Sequence, residues 1–130
     1  MFQSYYLLDN GKQVVDYVYK YNLQFCYGNC LKYCSRCGKK LYNSVEKDLN
    51  KALTYITSAP DEHGFLYRSA KNIYNSIKFD DSEKLADGYL DDILKAIIKY
   101  DDYKTIAGMI ITYMKERGAN VKSEFEKYRT

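Results

Sequence analysis

The chain has 130 residues, 46% hydrophobic and 28% charged, with a single proline, Pro60. This suits one folded domain with core material and few helix breakers, and it argues against disorder. The longest apolar runs, such as Ile97-Ile98 and Ile110-Ile111, fall far short of the roughly 18 to 20 residues that span a bilayer. Met1 to Leu8 lacks the basic start and small-residue cleavage site of a signal peptide. The expectation is a cytoplasmic protein with no membrane partner.

The net charge of +3 excludes a strong electrostatic case for nucleic acid, but the charge is unevenly spread. Residues 1–60 hold eight Lys/Arg against four Asp/Glu, and the stretch 24–40 holds Lys32, Arg36, Lys39 and Lys40 with no acid. Residues 80–102 reverse this, with eight acids against three lysines.

Apolar residues recur at helical spacing along the chain, and no period-two run bounded by turn residues stands out, so the class is all-α. We expect a compact helical domain of about six or seven helices over 1–130, with a motif-bearing hairpin at 14–56 and an additional helical subregion at 65–130. The first helix is expected over about Lys12–Tyr21, capped by Asp9 or Asn10, with Val14, Val15, Val18 and Tyr21 inward. The second runs over about Gln24–Cys37 and stops at Gly38. The third opens at Asn43 or Ser44 and continues to about Thr57 before Pro60.

After a loop at Asp61–Gly64, further helices are expected over about Phe65–Ile77, Ser82–Tyr100, Tyr103–Arg117 and Val121–Tyr128. Asp80/Asp81, Asp101/Asp102 and Asn120 stand where N-caps are wanted, and Gly118 where a C-terminal glycine is wanted. Ile93, Leu94, Ile97 and Ile98 should face Ile106, Met109, Ile110 and Tyr113 across a short antiparallel connection.

Cys26, Cys30, Cys34 and Cys37 share about 80° of arc on the second helix. The spacing Cys30-x-x-x-Cys34-x-x-Cys37 copies a cluster-binding triplet, but ligands strung along one regular helix converge poorly on a metal, and helical neighbours four apart are badly oriented for a disulfide. Packing is the preferred reading, with no metal. His63, the only histidine, reads as a solvated loop residue. The sixteen tyrosines suit core margins and interfaces, and homo-oligomerisation is expected on that ground.

A second arc of the same helix collects Phe25, Asn29, Lys32, Tyr33 and Arg36, followed by Gly38-Lys39-Lys40. Cations plus an amide at this spacing can grip a phosphate-bearing ligand, and the third helix can return Asp48 and Lys51 to the same place. We take Asn29, Lys32, Tyr33, Arg36, Lys39, Lys40, Asp48 and Lys51 as the candidate binding set. The competing reading is that Arg36 pairs with Asp48 to lock two helices together while the lysines are solvated.

These residues also form a recognisable pattern. Val14-Val15-Asp16, Leu23-Gln24-Phe25, Gly28-Asn29-x-x-Lys32-Tyr33-x-x-Arg36-x-Gly38-Lys39-Lys40 and Asp48-Leu49-x-Lys51-Ala52-x-x-Tyr55-Ile56 resemble a family of small tailed-phage proteins described as nucleotide kinase-like. The resemblance covers about residues 14–56. It implies a bacteriophage protein of the host cytoplasm, a helical hairpin, and a nucleotide or nucleotide-derived phosphorylated ligand.

Three functions follow as expectations. The first is a non-enzymatic phage accessory protein that binds such a ligand in an anti-defence role. The second is a nucleoside monophosphate kinase without a P-loop, with Arg36, Lys39 and Lys40 on phosphates and Asp48 holding Mg2+ or orienting the acceptor. The third is an anti-CRISPR-type inhibitor of a host defence protein, presenting Asp80, Asp81, Glu83, Asp87, Asp91 and Asp92 as an acidic interface. Only the kinase reading asks for a cofactor, and only that one asks for catalysis.

Overall fold

The computed structural model describes residues 7–39, 44–61, 74 and 78–129. Within them lie five α-helices: α1 Val14–Tyr21, α2 Phe25–Arg36, α3 Val45–Thr57, α4 Tyr89–Ile98 and α5 Tyr103–Glu116. Two 3-10 segments, Ala59–Asp61 and Ser123–Tyr128, complete the set. No strand occurs among the described residues, only an isolated antiparallel bridge between Leu7 and Gln13. The all-α class holds.

Local chemistry explains most of the boundaries. The Ser44 hydroxyl accepts from the Lys47 N–H at 3.0 Å and starts α3. The Asp102 carboxylate accepts from Lys104 N–H at 3.0 Å and Thr105 N–H at 3.4 Å and starts α5. Gly38 and Gly118 take left-handed φ values of +71° and +68° just beyond α2 and α5, as helix stops require.

Several expected boundaries differ. α1 is capped by Gln13, not by Asp9 or Asn10, and the Asp16 carboxylate reaches back to accept from the Gln13 N–H at 2.7 Å. Its buried stripe is Val14, Tyr17 and Tyr21, while Val15 stays 43% exposed. The helix expected over Ser82–Tyr100 begins only at Tyr89. Residues 82–88 form turns instead, with Asp80 accepting from Ser82 N–H at 2.9 Å and Asp91 from Leu85 N–H at 2.7 Å. These carboxylates offer the backbone a partner outside a helix, and Gly88 at φ +59° ends the turn. The segment expected over Val121–Tyr128 is the 3-10 stretch from Ser123. Asn120 does not cap it: its N–H donates to Glu46 Oε1 at 2.7 Å and its carbonyl accepts from Asn50 Nδ2 at 2.9 Å. Apart from Tyr74, which is helical, the helix expected over Phe65–Ile77 lies outside the described residues, as does the loop residue His63.

The core sits where α2, α3, α4 and α5 meet. Leu31, Leu49, Leu53, Ile56, Ile93, Leu94, Ile97, Ile98, Ile106 and Ile110 are fully buried there. The tyrosines serve this core at its margins. Tyr27 and Tyr100 stack at 4.2 Å, the Tyr27 hydroxyl donates to the Asp101 carbonyl at 2.6 Å, and the Tyr100 hydroxyl accepts from the Gln24 N–H. Each ring is buried while each hydroxyl has a partner. These contacts hold the start of α2 against the end of α4, and so set the position of Phe25 and the turn at Leu23-Gln24.

Candidate functional site

α1 and α2 are joined by the short turn Asn22–Gln24, in which Asn22 takes a left-handed φ of +52°. Between the two helices lies an open groove of about 670 Å3. Val14, Val15, Val18 and Tyr19 form one wall, and Phe25, Gly28, Asn29 and Lys32 form the other, with Leu23, Gln24 and Gln13 completing the lining. Val15, Tyr19 (82% exposed) and Phe25 (69% exposed) are the three large exposed hydrophobic residues of the described chain, and all three belong to this groove. Among the described residues its lining has one cation, Lys32, three side-chain amides, and no carboxylate. At Gly28 an added Cβ would stand 3.6 Å from Val18 Cγ2, so even the smallest side chain there begins to fill the floor.

On the opposite flank of α2, toward α3, three aromatic rings form a row. Phe25 meets Tyr55 edge-on at 5.7 Å, and Tyr55 stacks on Tyr33 at 5.7 Å with the planes 9° apart. Three cations surround Tyr33: the Arg36 guanidinium carbon lies 4.6 Å from its centroid, and the Lys32 and Lys51 ammonium nitrogens each lie at 5.4 Å.

The candidate residues therefore divide. Asn29 and Lys32 line the groove, although the Asn29 amide already donates to the Phe25 carbonyl at 2.9 Å. Tyr33 and exposed Lys51 belong to the aromatic row. Lys39 is exposed and its ammonium donates to the Leu7 carbonyl at 3.3 Å. Lys40 lies outside the described residues. Arg36 and Asp48 are buried against each other: Arg36 Nε and Nη2 both donate to Asp48 Oδ1, at 3.0 and 2.7 Å. The Gly38 N–H donates to Asp48 Oδ2 at 3.1 Å, so both carboxylate oxygens are engaged. This arrangement is the helix brace, the alternative that spacing by itself left open.

Sequence reading missed the α1 wall. Val15 was assigned inward because it is apolar, and Tyr19 was not singled out. The available signal was that Val15 and Tyr19 are four apart, on a different arc from Val14, Tyr17 and Tyr21.

The cysteines occupy the other side of α2. Cys26, Cys30 and Cys34 are buried and Cys37 is half-buried, all as free thiols. No group of three or more His, Cys, Asp or Glu among the described residues is placed to hold a metal ion. The Cys34 thiol is held well above its usual range by a hydrogen bond with Cys30 and by burial. Burial pushes Cys37 from 9.0 up to about 12. An unfolded Cys37 loses its proton near pH 9 and the folded one near 12. Between those values the unfolded chain binds fewer protons, and stability falls as pH rises, by up to about 1.4 kcal/mol per pH unit for one thiol. Melting curves recorded across about pH 8 to 10.5 should show this loss, and Cys37→Ala should make the slope shallower without abolishing it, because the buried Cys34 thiol, also held above its usual range, contributes a loss of the same sign.

The acidic segment is largely engaged within the chain. Asp91 pairs with Lys95 at 2.7 Å, Asp87 with Lys84 at 2.6 Å, Glu83 with Lys12 at 3.8 Å, and Asp81 with Lys99. Asp80 closes its turn on Ser82, and Asp92 is exposed.

Fold and site together define a helical protein with an amphipathic groove between α1 and α2 whose described lining holds no acid. A family model described as a protein of unknown function (DUF3310) matches residues 4–57, the span that carries α1, α2, α3 and both faces of the candidate site. No curated protein and no solved structure gives a significant match to the chain. No helix among the described residues is long and apolar enough to cross a membrane.

Proposed function

We propose that the chain is a non-enzymatic binding protein that holds a nucleotide or nucleotide-derived phosphorylated ligand in the groove between α1 and α2, as a phage accessory protein acting against a host defence. The observation that carries the binding reading is the groove itself. All three large exposed hydrophobic side chains of the described residues converge there with Lys32, side-chain amides and no acid. A planar base can pack on Phe25 and Tyr19 while Lys32 meets the phosphate, and Gln24 and Gln13 have side chains able to read polar edges. The phage and anti-defence setting rests on the resemblance of residues 14–56.

Binding is favoured over phosphoryl transfer because none of the described residues that line the groove is a carboxylate able to hold Mg2+ or receive a proton. Asp48, the residue first considered for that work, is fully buried on Arg36. Inhibition through the acidic segment is disfavoured because four of its six acids are already paired with lysines.

The test begins with mass spectrometry of small molecules released on denaturing protein purified from cells, followed by calorimetric titration of the identified compound. Phe25→Ala and Lys32→Ala should each weaken binding at least tenfold, about 1.4 kcal/mol, without lowering the melting temperature. Wild-type affinity in both variants would remove the groove from the account.

A further inference from the structure

Two of the amides that line the groove have their orientation set by the backbone. Asn29 Nδ2 donates to the Phe25 carbonyl at 2.9 Å, and Gln24 Nε2 donates to the Asn22 carbonyl at 3.3 Å. A carbonyl oxygen only accepts, so the branch of each amide that faces it must be nitrogen and the other branch must be oxygen. Asn29 Oδ1 and Gln24 Oε1 have no hydrogen-bond partner among the described residues. Both side chains are half-buried, and in sequence they bracket Phe25, whose exposed ring is the stacking face of the groove. Each nitrogen has already given a hydrogen to the backbone while each oxygen keeps both its lone pairs. What these two side chains offer a ligand is therefore chiefly acceptor.

Resting on the nucleotide reading of the groove, we infer that the site selects a base with an exocyclic amino group, adenine, cytosine or guanine, over thymine and uracil, and that Asn29 and Gln24 make the selection. The amino group is a donor, and either oxygen can accept from it. Thymine and uracil present carbonyl oxygens instead, and an acceptor turned toward an acceptor gives up water without gaining a hydrogen bond. The tethers strengthen the effect, since an amide already held by the backbone loses little further side-chain freedom when the ligand arrives. Stacking on Phe25 does not discriminate in this way, because every base has a π-face. Sugar and phosphate are common to all the nucleotides, so the selection does not depend on how the phosphate is held.

The experiment is calorimetric titration of the full chain with deoxynucleoside 5′-monophosphates paired by the amino group: adenine against unsubstituted purine, guanine against hypoxanthine, and cytosine against uracil, with thymine alongside. The expected result is that the tightest binder carries the amino group and binds at least tenfold more tightly than its counterpart without it. Asn29→Leu and Gln24→Met remove the oxygens at similar side-chain volume. Each should cut that ratio at least threefold while leaving the affinity for the counterpart within twofold. A residue that only shaped the groove would weaken both nucleotides together and leave the ratio unchanged. If Asn29→Leu melts early, Asn29→Ala makes the same comparison. Tightest binding of thymine or uracil, or a wild-type ratio under tenfold, would overturn the amino selection and leave the groove reading standing. A ratio that survives both substitutions would overturn the assignment to Asn29 and Gln24. Absence of binding by every probe would overturn the groove reading and this inference with it.

Discussion

Asp48→Ala is expected to destabilise the fold by about 3 to 5 kcal/mol, the range for removing one member of a buried ion pair. The side chain is fully buried and accepts three hydrogen bonds, two from Arg36 and one from the Gly38 N–H. Its loss leaves the Arg36 guanidinium charged in a site that is 4% exposed, and leaves a backbone donor at the end of α2 without that partner. Arg36→Ala should cost a comparable amount by stranding the carboxylate. The double variant should be much less destabilised than the sum of the two, because the second substitution removes the charge that the first one strands. Urea unfolding of the four proteins measures this directly. Additive losses would mean that the pair is not the brace between α2 and α3. Circular dichroism at low urea should stay helical throughout, since Ile93, Leu94, Ile97 and Ile98 are independent of this pair.

The second large effect is expected at Gly38. Its φ of +71° lies in the left-handed region, where a side chain costs about 1 to 2 kcal/mol. A Cβ there would also stand 3.0 Å from Val45 Cγ2 at the start of α3, tighter than ordinary contact. Relieving that contact requires Val45 or the turn at Gly38 to give, and the same turn carries the Gly38 N–H that donates to Asp48 Oδ2. Gly38→Ala should therefore lose about 2 to 3 kcal/mol in the same unfolding experiment. Gly118, at φ +68° with open space around its would-be Cβ, is the control. Gly118→Ala should show the backbone cost alone, and an equal loss at both positions would rule out the Val45 and Asp48 coupling.

These two positions explain why the motif Arg36-x-Gly38 followed by Asp48 has its spacing. Arg36 ends α2, Gly38 turns the chain, and Asp48, in the first turn of α3, receives donors from both. That part of the pattern builds the hairpin. The part with Phe25, Asn29, Lys32, Tyr33, Lys51 and Tyr55 is more exposed: Phe25 and Lys51 are exposed and the other four are half-buried.

Periodicity and caps determined the helical class, the spans of α2, α3 and α5, and the stops at Gly38 and Gly118. These depend on residues three or four apart, which local backbone chemistry brings together whatever the rest of the chain does. The order of Ile93, Leu94, Ile97 and Ile98 likewise marked a buried face before any partner was known. Tertiary structure decided the rest. Whether Arg36 faced a ligand or Asp48 depended on how α2 and α3 pack, since twelve residues of separation allow either. Whether Val15 was core or groove wall depended on which arc of α1 met Tyr17 and Tyr21's neighbours, and only the docked helices left it outside. Residues 82–88 look helical by composition, yet Asp91 draws the Leu85 and Ala86 N–H groups into a turn, a competition settled by side chains that helical periodicity does not weigh. The groove itself is a space between two helices, and its lining could be assembled only once α1 and α2 were placed beside each other.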